Sequence, residues 1–241
     1  MSDWYFELAS IEHFWVRRRF QVLQKLAGEL IANAKDMAEF GCGHGLLQRQ
    51  IEDAYGRQVA GFDLNENALK QNVSRLSKVA CYDVLQRKEN LRERFDVVLL
   101  FDVLEHIQDE DTFLEAIQFH LAQPGFLIVN TPAGEWAYSG YDVAAGHVRR
   151  YSIKTLREAA KRNGFEVTKW SYWGLPLAPA LAIRKLWFKG KNDQGKVYAA
   201  GFDSGDGAIN KALRALARCE VIPQKFFGTS VMAVCQHSLS G

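Results

Sequence analysis

Residues 39–46 read Glu-Phe-Gly-Cys-Gly-His-Gly-Leu, three glycines at alternate positions between two apolar residues. A short predicted strand, Asp36–Phe40, leads into them, and a helical pattern, His44–Tyr55, begins among them. Glycines at such a junction allow a sharp turn and a close approach of a ligand to the backbone, because no Cβ stands in the way. Exposed amides at the start of the helix favour a polar or anionic ligand group. The stretch therefore predicts a strand, a ligand-binding turn and a helix.

The alternation of strand and helix continues through most of the chain. The predicted strands are Asp36–Phe40, Gln58–Asp63, Lys78–Tyr82, Phe95–Phe101, Gly125–Thr131, Phe165–Trp173 and Phe227–Cys235. The predicted helices are Phe14–Ala34, His44–Tyr55, Asn65–Leu76, Asp109–Leu121 and Ser152–Arg162. The runs at 97–101 and 126–129 are continuously apolar, which is typical of strands covered on both faces. These patterns predict an α/β fold with a doubly wound, mainly parallel sheet.

Length and composition fit one globular domain. The chain has 241 residues, of which 48% are hydrophobic and 24% charged, values that exclude a disordered chain and a collagen-like repeat. Its net charge of +2 is too small to indicate a nucleic-acid-binding protein. We expect a helical cap (1–35), a ligand-binding core (36–173), a helical lid insertion (174–226) and a final strand (227–241). Within the insertion we expect a helix over 175–189, a glycine-rich loop over 190–207 and a basic helix over 208–219.

The cysteines and the apolar runs indicate the compartment. The four cysteines are scattered and form no CxxC pair, a pattern expected of reduced thiols in the cytoplasm. The N-terminus lacks the basic start and apolar stretch of a signal peptide. The uncharged, largely apolar run Trp170–Ile183 has 14 residues. A membrane-spanning helix needs about 20 apolar residues. We therefore expect a cytoplasmic protein without stable membrane insertion.

The acid at the end of the second predicted strand narrows the choice of ligand. A carboxylate at the position of Asp63 can accept hydrogen bonds from the hydroxyls of a ribose. Both a dinucleotide and S-adenosylmethionine carry such a ribose. The dinucleotide pattern GxGxxG wants glycine or alanine where Leu46 stands. Glu39 would repel phosphates but suits a ligand with an ammonium group and a sulfonium. The residues favour S-adenosylmethionine, with a nicotinamide dinucleotide as the alternative.

Four motifs, in order, resemble those of the class I S-adenosylmethionine-dependent methyltransferases. Glu39–Gly45 resembles the first motif, Gly61–Asn65 the acidic second motif and Tyr82–Val84 the third. Phe95–Ile107 is similar to the fourth strand of the family with its Leu-Glu-His ending. The resemblance covers residues 36–131. It implies a Rossmann-like sheet of seven strands, with an antiparallel last strand and a helical insertion before it.

Three further segments resemble a bacterial subgroup of small-molecule methyltransferases. They are Glu12–Arg19, Gly146–Ser152 and Gly228–Ser230. The general layout is similar to that of the ubiquinone-biosynthesis O-methyltransferases. The insertion at 174–226 carries no motif that identifies a substrate.

The resemblance implies a set of residues that bind S-adenosylmethionine. These are Trp15, Arg17, Glu39, Gly41, Cys42, Gly43, Asp63, Leu64, Asp83, Val84, Phe101 and His106. By this comparison Glu39 supports the ammonium group, Asp63 binds the ribose and Asp83 accepts from the adenine amino group. The glycines admit the methionyl part, and Phe101 offers its backbone oxygen to the ammonium. For Asp83 the alternative is a helix or turn cap.

The N-terminal helix offers aromatic and basic side chains to the same site. Trp15, Arg17 and Arg19 are expected to close over the cofactor, with an arginine pairing with its carboxylate. The alternative is a basic stripe on the protein surface. His106 follows the fourth strand, where it touches cofactor or substrate or serves as a partly buried structural histidine.

His147 is the expected catalytic residue, and Tyr151 is the second candidate. The imidazole of His147 follows the fifth strand and can take the proton from a hydroxyl near neutral pH. The alternative is a histidine that only packs its loop. Asp102, Glu105 and His106 resemble a metal site attributed to ubiquinone O-methyltransferases. Because Glu-His at this place is common in methyltransferases without a metal, we expect none.

Together these expectations describe an enzyme that moves a methyl group by in-line displacement. The expected acceptor is a hydroxyl of a small, apolar or aromatic molecule. Methylation of nitrogen or carbon is an alternative, and so is a protein that binds S-adenosylmethionine without catalysis.

Overall fold

The computed structural model describes residues 13–179 and 220–237, together with Ala215. The strands are β1 (Met37–Phe40), β2 (Ala60–Asp63), β3 (Val79–Cys81), β4 (Phe95–Phe101), β5 (Leu121–Pro132), β6 (Phe165–Trp173) and β7 (Ser230–His237). The helices are α1 (Phe14–Asn33), α2 (Leu46–Tyr55), α3 (Glu66–Lys70), α4 (Glu110–His120), α5 (Gly140–Ala145) and α6 (Ile153–Arg162).

The seven strands form one sheet in the order β3-β2-β1-β4-β5-β7-β6. Neighbouring strands from β3 to β5 pair in parallel, whereas β7 pairs antiparallel with both β5 and β6. The strand order reverses between β1 and β4, the place where open α/β sheets bind their ligands beyond the carboxyl ends of the strands. The predicted doubly wound sheet with an antiparallel last strand is confirmed.

Apolar side chains on both faces of the sheet explain its stability. On β4, Val98 and Leu100 pack into one buried cluster with α4 and α6. Their neighbours Val97 and Leu99 pack into a second cluster with α1 and α2. Alternate residues of a strand point to opposite faces, so the continuous apolar run of β4 serves both layers.

The helix predicted over Asn65–Leu76 is wrong in length, since α3 ends at Lys70. The buried carboxylate of Glu52 accepts hydrogen bonds from the amides of Arg75, Leu76 and Ser77, at 2.7, 3.0 and 2.7 Å. A side chain thus supplies the acceptors that a continued helix would have supplied. The chain over 71–78 is held as a loop instead.

The last strand begins later than predicted, at Ser230 instead of Phe227. Ahead of it, Gln224 bridges to Tyr172 on β6, and Gly228 packs against the backbone of Trp173. A Cβ at Gly228 would lie 2.4 Å from the backbone oxygen of Trp173, so this close approach requires glycine. The segment before β7 is therefore packed against the end of β6 but is not part of the ladder.

Most of the predicted insertion lies outside the described residues. The helices predicted over 175–189 and 208–219 and the loop over 190–207 fall there, apart from a short helical turn at Leu175–Leu177. The division of the chain into cap, core, lid and final strand stays a prediction. Within residues 13–179 and 220–237, none of the helices has both the length and the apolar character needed to cross a bilayer.

Candidate active site

The glycine turn lies between β1 and α2, at the carboxyl ends of the central strands. Gly41 and Gly43 have φ angles of 79° and 51°, which other residues adopt only with strain. A Cβ on Gly41 would lie 2.4 Å from Cγ2 of Val103. The amides of Gly41 and Cys42 donate to the carbonyl oxygen of Phe62, at 2.7 and 3.1 Å. These contacts fix the turn tightly against β2 and the loop after β4.

Asp63 ends β2 and connects it to the glycine turn. Its Oδ2 accepts a hydrogen bond from the amide of Gly43 at 2.7 Å, and its Oδ1 accepts from the amide of Asn65 at 2.8 Å. A carboxylate has about four lone-pair sites, so acceptor capacity remains for a ligand's hydroxyls. Leu64, the next residue, leaves 68% of its side chain exposed at this edge. The two residues offer a polar and an apolar contact side by side.

Glu39 is a buried carboxylate that the protein leaves incompletely paired. It is only 3% exposed, and its Oε2 has no hydrogen-bond partner within the described part of the chain. Burial raises the pKa of Glu39 to about 8, in spite of the Arg19 guanidinium and with the help of Asp63 and Asp102. Burying such an oxygen without a partner is costly. The arrangement fits a bound ligand that brings a hydrogen-bond donor and a positive charge.

Arg19 is the arginine of α1 that faces this site. Its guanidinium pairs with Oδ2 of Asp102 at 2.5 Å and lies 5.4 Å from the centre of the Phe101 ring. Asp102 has a φ of 58°, and its Oδ1 accepts from the Asn130 side chain at 2.7 Å. Arg17, which the resemblance pointed to, is exposed. The inward position therefore belongs to Arg19.

The remaining implied cofactor residues lie along the same edge of the sheet. Val84 is buried, and Asp83 caps the short helical turn that begins there, with its Oδ1 accepting from the amide of Leu85 at 2.9 Å. Phe101 is buried at the end of β4. Trp15 packs on Trp173 of β6 with ring centres 4.2 Å apart. The structure thus places Asp83 as a cap, which leaves its role toward adenine a prediction.

His147 stands in the loop after α5, which ends at Ala145. Its Nδ1 is 2.9 Å from Oδ1 of Asp142, which also accepts from Nε of Arg150 at 2.8 Å. Asp142 is fully buried, and although burial opposes ionisation, the hydrogen bonds from His147 and Arg150 lower its pKa. The carbonyl oxygen of His147 accepts from the hydroxyl of Tyr138 at 2.8 Å. The imidazole is thereby held in one orientation.

His106 lies beside His147, with ring centres 4.8 Å apart. Its Nδ1 is 3.1 Å from the carbonyl oxygen of Gly146. Burial, and secondarily His147, lower the pKa of His106 to about 4. His106 is therefore neutral at physiological pH.

Glu105, His106 and His147 form a group that could hold a metal ion, since their ligand atoms lie within 4.8 Å of one another. Glu105 is fully buried, with Oε2 accepting from Thr131 at 3.1 Å. Asp102 does not join the group, because Arg19 and Asn130 engage its carboxylate. The resemblance to the Asp102, Glu105 and His106 site is thus not reproduced in the geometry.

Tyr151 has a structural position that does not favour catalysis. It is 2% exposed, and its hydroxyl donates to Oε2 of Glu110 at 2.5 Å. Burial and the Glu110 carboxylate raise the pKa of Tyr151 above its usual range. Of the two catalytic candidates, we therefore propose only His147.

A model of a methyltransferase domain matches residues 11–169, about two thirds of the chain. The chain belongs to the methyltransferase-domain family. The matched range contains β1–β5, the glycine turn and both histidines of the methyltransferase site. The prediction of this family from the four motifs is confirmed.

Relatives that are named as methyltransferases match part of the chain. The methyltransferase is 32% identical over 164 residues to a probable S-adenosylmethionine-dependent methyltransferase of Mycolicibacterium smegmatis, covering 65% of this chain and 61% of that protein. It is 32% identical over 120 residues to a ubiquinone biosynthesis O-methyltransferase of Rhodopseudomonas palustris, covering 48% and 47%. The chain thus spans about half to three fifths of the length of these relatives.

A solved structure supports the fold of the methyltransferase independently. An S-adenosylmethionine-dependent methyltransferase from Archaeoglobus fulgidus superimposes with a TM-score of 0.57 at 16% identity, covering 91% of this chain and 94% of that one. At this identity the likeness concerns the fold alone. Dependence on S-adenosylmethionine is stated in the name of the Mycolicibacterium smegmatis relative.

Two residues of the methyltransferase site escaped the sequence analysis. Asp142 falls in a stretch that we expected to be irregular, where the structure has α5 with a capping box between Ser139 and Asp142. The pattern Ser-x-x-Asp at 139–142 was the available signal. Arg150, which the motif Gly146–Ser152 contains without indicating a role for it, is buried against Asp142.

Proposed function

We propose that the methyltransferase transfers a methyl group from S-adenosylmethionine to a hydroxyl of a small, apolar or aromatic acceptor. The observation that carries the cofactor half is Glu39, a buried carboxylate oxygen without a partner in the described residues. A dinucleotide would bring phosphates to this place, and their negative charge would oppose the ionisation of Glu39 further. The amino group of S-adenosylmethionine instead supplies both a donor and a positive charge.

The cofactor half is formed by residues that each contribute one contact. Glu39 receives the amino group, the turn at Gly41 and Gly43 admits the methionyl part, and Asp63 receives the ribose hydroxyls. Arg19 carries positive charge at the same edge and suits the cofactor's carboxylate. When bound, S-adenosylmethionine supplies a methyl group already activated on a sulfonium.

The acceptor half is the region around His147. Val143 and Val148, on either side of it in the chain, are 63% and 39% exposed. Trp136 stacks on Phe227 with ring centres 5.4 Å apart, and 40% of Trp136 is exposed. Such exposed apolar and aromatic side chains favour an apolar or aromatic acceptor, whose reacting hydroxyl would face His147.

The protein contributes to the reaction mainly by holding two molecules in line. Such positioning supplies roughly 7–11 kcal/mol of the barrier. His147 receives the hydroxyl proton at Nε2, a contribution of about 100- to 10,000-fold for a general base. We propose a cytoplasmic location and no nucleic-acid partner on the sequence observations alone.

Two measurements in sequence test the proposed function. Calorimetry with S-adenosylhomocysteine, the methyl-depleted cofactor, is expected to show binding, whereas NAD is expected to show none. Transfer of labelled methyl from S-adenosylmethionine to a panel of catechols, phenols and aliphatic alcohols then tests the acceptor. Cofactor binding without transfer to any hydroxyl, but with transfer to matched amines, would replace oxygen by nitrogen as the acceptor atom.

A further inference from the structure

We infer that Asp142 positions His147 and makes its Nε2 the proton acceptor for the methyl-transfer reaction. The inference rests on the proposed function, because it names the residue that prepares the proposed base. Asp142 touches no reacting atom itself; it acts through the imidazole.

The carboxylate of Asp142 is fixed by donors on both of its oxygens. Oδ1 accepts from Arg150 Nε at 2.8 Å and faces His147 Nδ1 at 2.9 Å. Oδ2 accepts from the amide and the hydroxyl of Ser139, at 3.0 and 3.3 Å. Arg150 is in turn held by the carbonyl oxygen of Ala133 at 3.2 Å. The side chain of Asp142 has no exposed surface. A carboxylate held in this way cannot turn away from the imidazole.

The backbone reinforces the same arrangement. The amide of His147 donates to the carbonyl oxygen of Asp142 at 2.8 Å, and Gly146 turns the chain between them with a φ of 78°. Residue 142 therefore contacts residue 147 through both backbone and side chain. The imidazole is bound to the end of α5 rather than placed on a free loop.

An ionised carboxylate can only accept a hydrogen bond, so it selects the tautomer with the proton on Nδ1. In that tautomer Nε2 of His147 carries a lone pair and is engaged by none of the described residues. The same carboxylate stabilises the imidazolium that forms when Nε2 takes up a proton. As the oxygen–methyl bond forms and the methyl–sulfur bond breaks, the hydroxyl proton passes to Nε2, and the positive charge moves from sulfur to the imidazole beside Asp142.

The neighbouring His106 has no carboxylate of the described residues against its Nδ1 to select a tautomer. Its Nδ1 faces the backbone oxygen of Gly146, a neutral acceptor, at 3.1 Å. The other groups around the two rings are the buried Glu105 and the guanidinium of Arg150. Of the two histidines, only His147 has a carboxylate against its Nδ1, the ring nitrogen opposite the proposed proton acceptor Nε2. His147 is therefore the member of the pair that the Asp142 carboxylate orients.

The first test needs no acceptor molecule. Long-range 15N NMR on the histidine rings, with His147→Gln to assign the signal, reports which nitrogen of the neutral imidazole carries the proton. We expect the proton on Nδ1 in the wild type. A proton on Nε2 in the wild type would overturn the inference, whatever the acceptor proves to be.

The second test uses Asp142→Asn with Asp142→Glu as the conservative variant. An amide offers one acceptor oxygen to the four donors that the carboxylate serves, and it carries no charge. We expect kcat on the best hydroxylated acceptor of the panel to fall about 100-fold or more, since the base contribution is lost. S-adenosylhomocysteine affinity is expected to stay at the wild-type value, and Asp142→Glu should recover part of kcat. Asp109→Asn, an exposed cap that Asn also serves, is the matched control.

The outcomes separate this inference from the proposed function. If Asp142→Asn transfers methyl at the wild-type rate, the positioning role is wrong and the function stands. If EDTA abolishes transfer and a divalent ion restores it, Nε2 of His147 serves as a metal ligand and the inference is overturned. If the wild type binds cofactor but methylates no hydroxyl, the proposed function fails, and the tautomer measurement alone decides the role of Asp142.

Discussion

Two buried glutamates on adjacent elements of the methyltransferase have opposite surroundings. Glu52 on α2 accepts hydrogen bonds from three backbone amides and from the hydroxyl of Ser77, the last at 2.6 Å. Although burial opposes ionisation, these hydrogen bonds lower the pKa of Glu52. Glu39 on β1 has an oxygen without a partner in the described part of the chain, and burial raises its pKa to about 8.

The difference distinguishes a structural carboxylate from a binding one. The loop over 71–78 supplies Glu52 with enough donors to make its charge favourable in the folded protein. The glycine turn supplies no such donors to Glu39, because the amides of Gly41 and Cys42 point to Phe62 and that of Gly43 to Asp63. We propose that a bound ligand supplies the hydrogen-bond donor that Glu39 lacks.

The largest expected effect is a loss of turnover without a loss of cofactor affinity, produced by a substitution at His147. His147→Ala should lower kcat by about 100- to 10,000-fold, since it removes the proton acceptor. Its affinity for S-adenosylhomocysteine should be unchanged, because the proposed contacts to the cofactor are made mainly by Glu39, the glycine turn and Asp63. Calorimetry and initial rates on the same preparation check both. A loss of cofactor affinity with normal turnover would contradict this division of the site.

Glu39→Gln should weaken binding of S-adenosylhomocysteine by roughly 10- to 100-fold, because a charge-assisted hydrogen bond contributes about 1.5–3 kcal/mol.

Without ligand, the same substitution should favour the folded state more as the pH rises. The folded pKa of Glu39 is raised from 4.5 to about 8, so ionisation costs stability progressively across this window. Urea unfolding at the two ends of the window measures the trend. A stability difference that stays constant with pH would show that Glu39 already has its charge compensated.

Glu52→Gln should show the reverse pH dependence and the smallest effect. It should cost about 1–3 kcal/mol of unfolding free energy near neutral pH, where the charged carboxylate receives its hydrogen bonds. A lowered folded pKa contributes stability above the unfolded value and loses it as the pH falls below that value, so the cost should shrink in acid. Cofactor affinity is the control and should not change. A large loss of affinity would show that the loop over 71–78 also shapes the ligand site.

The sequence predicted those parts of the fold that depend on local apolar pattern. β4 and β6 begin and end at the predicted residues, because aromatic residues, which favour strands, stand at both ends of each. The end of α3 was missed because Glu52, in a different helix, takes over the amides of the loop. Side-chain contacts between distant residues do not leave a periodic signal.

The same limit applies to the site. Motif spacing predicted Glu39, Asp63 and His147, since the first two lie near the carboxyl ends of β1 and β2 and the third lies in a loop beyond β5. It did not separate Arg17 from Arg19, although Arg19 lies three residues after the buried Val16 and four before the buried Leu23, a spacing that marks the inner face of a helix. The sequence did not reveal Asp142 as the partner of His147. The helix that carries Asp142, α5, is too short for a clear periodic pattern, and the contact forms only in the folded loop.

The most direct test of the account is a crystal structure of the methyltransferase with S-adenosylhomocysteine. We predict that the amino group lies within hydrogen-bonding distance of Glu39, that the ribose hydroxyls face Asp63, and that the sulfur points toward the side of His147. A ligand bound elsewhere, or a complex in which Glu39 still faces no donor, would contradict the claim that this carboxylate was left for the cofactor.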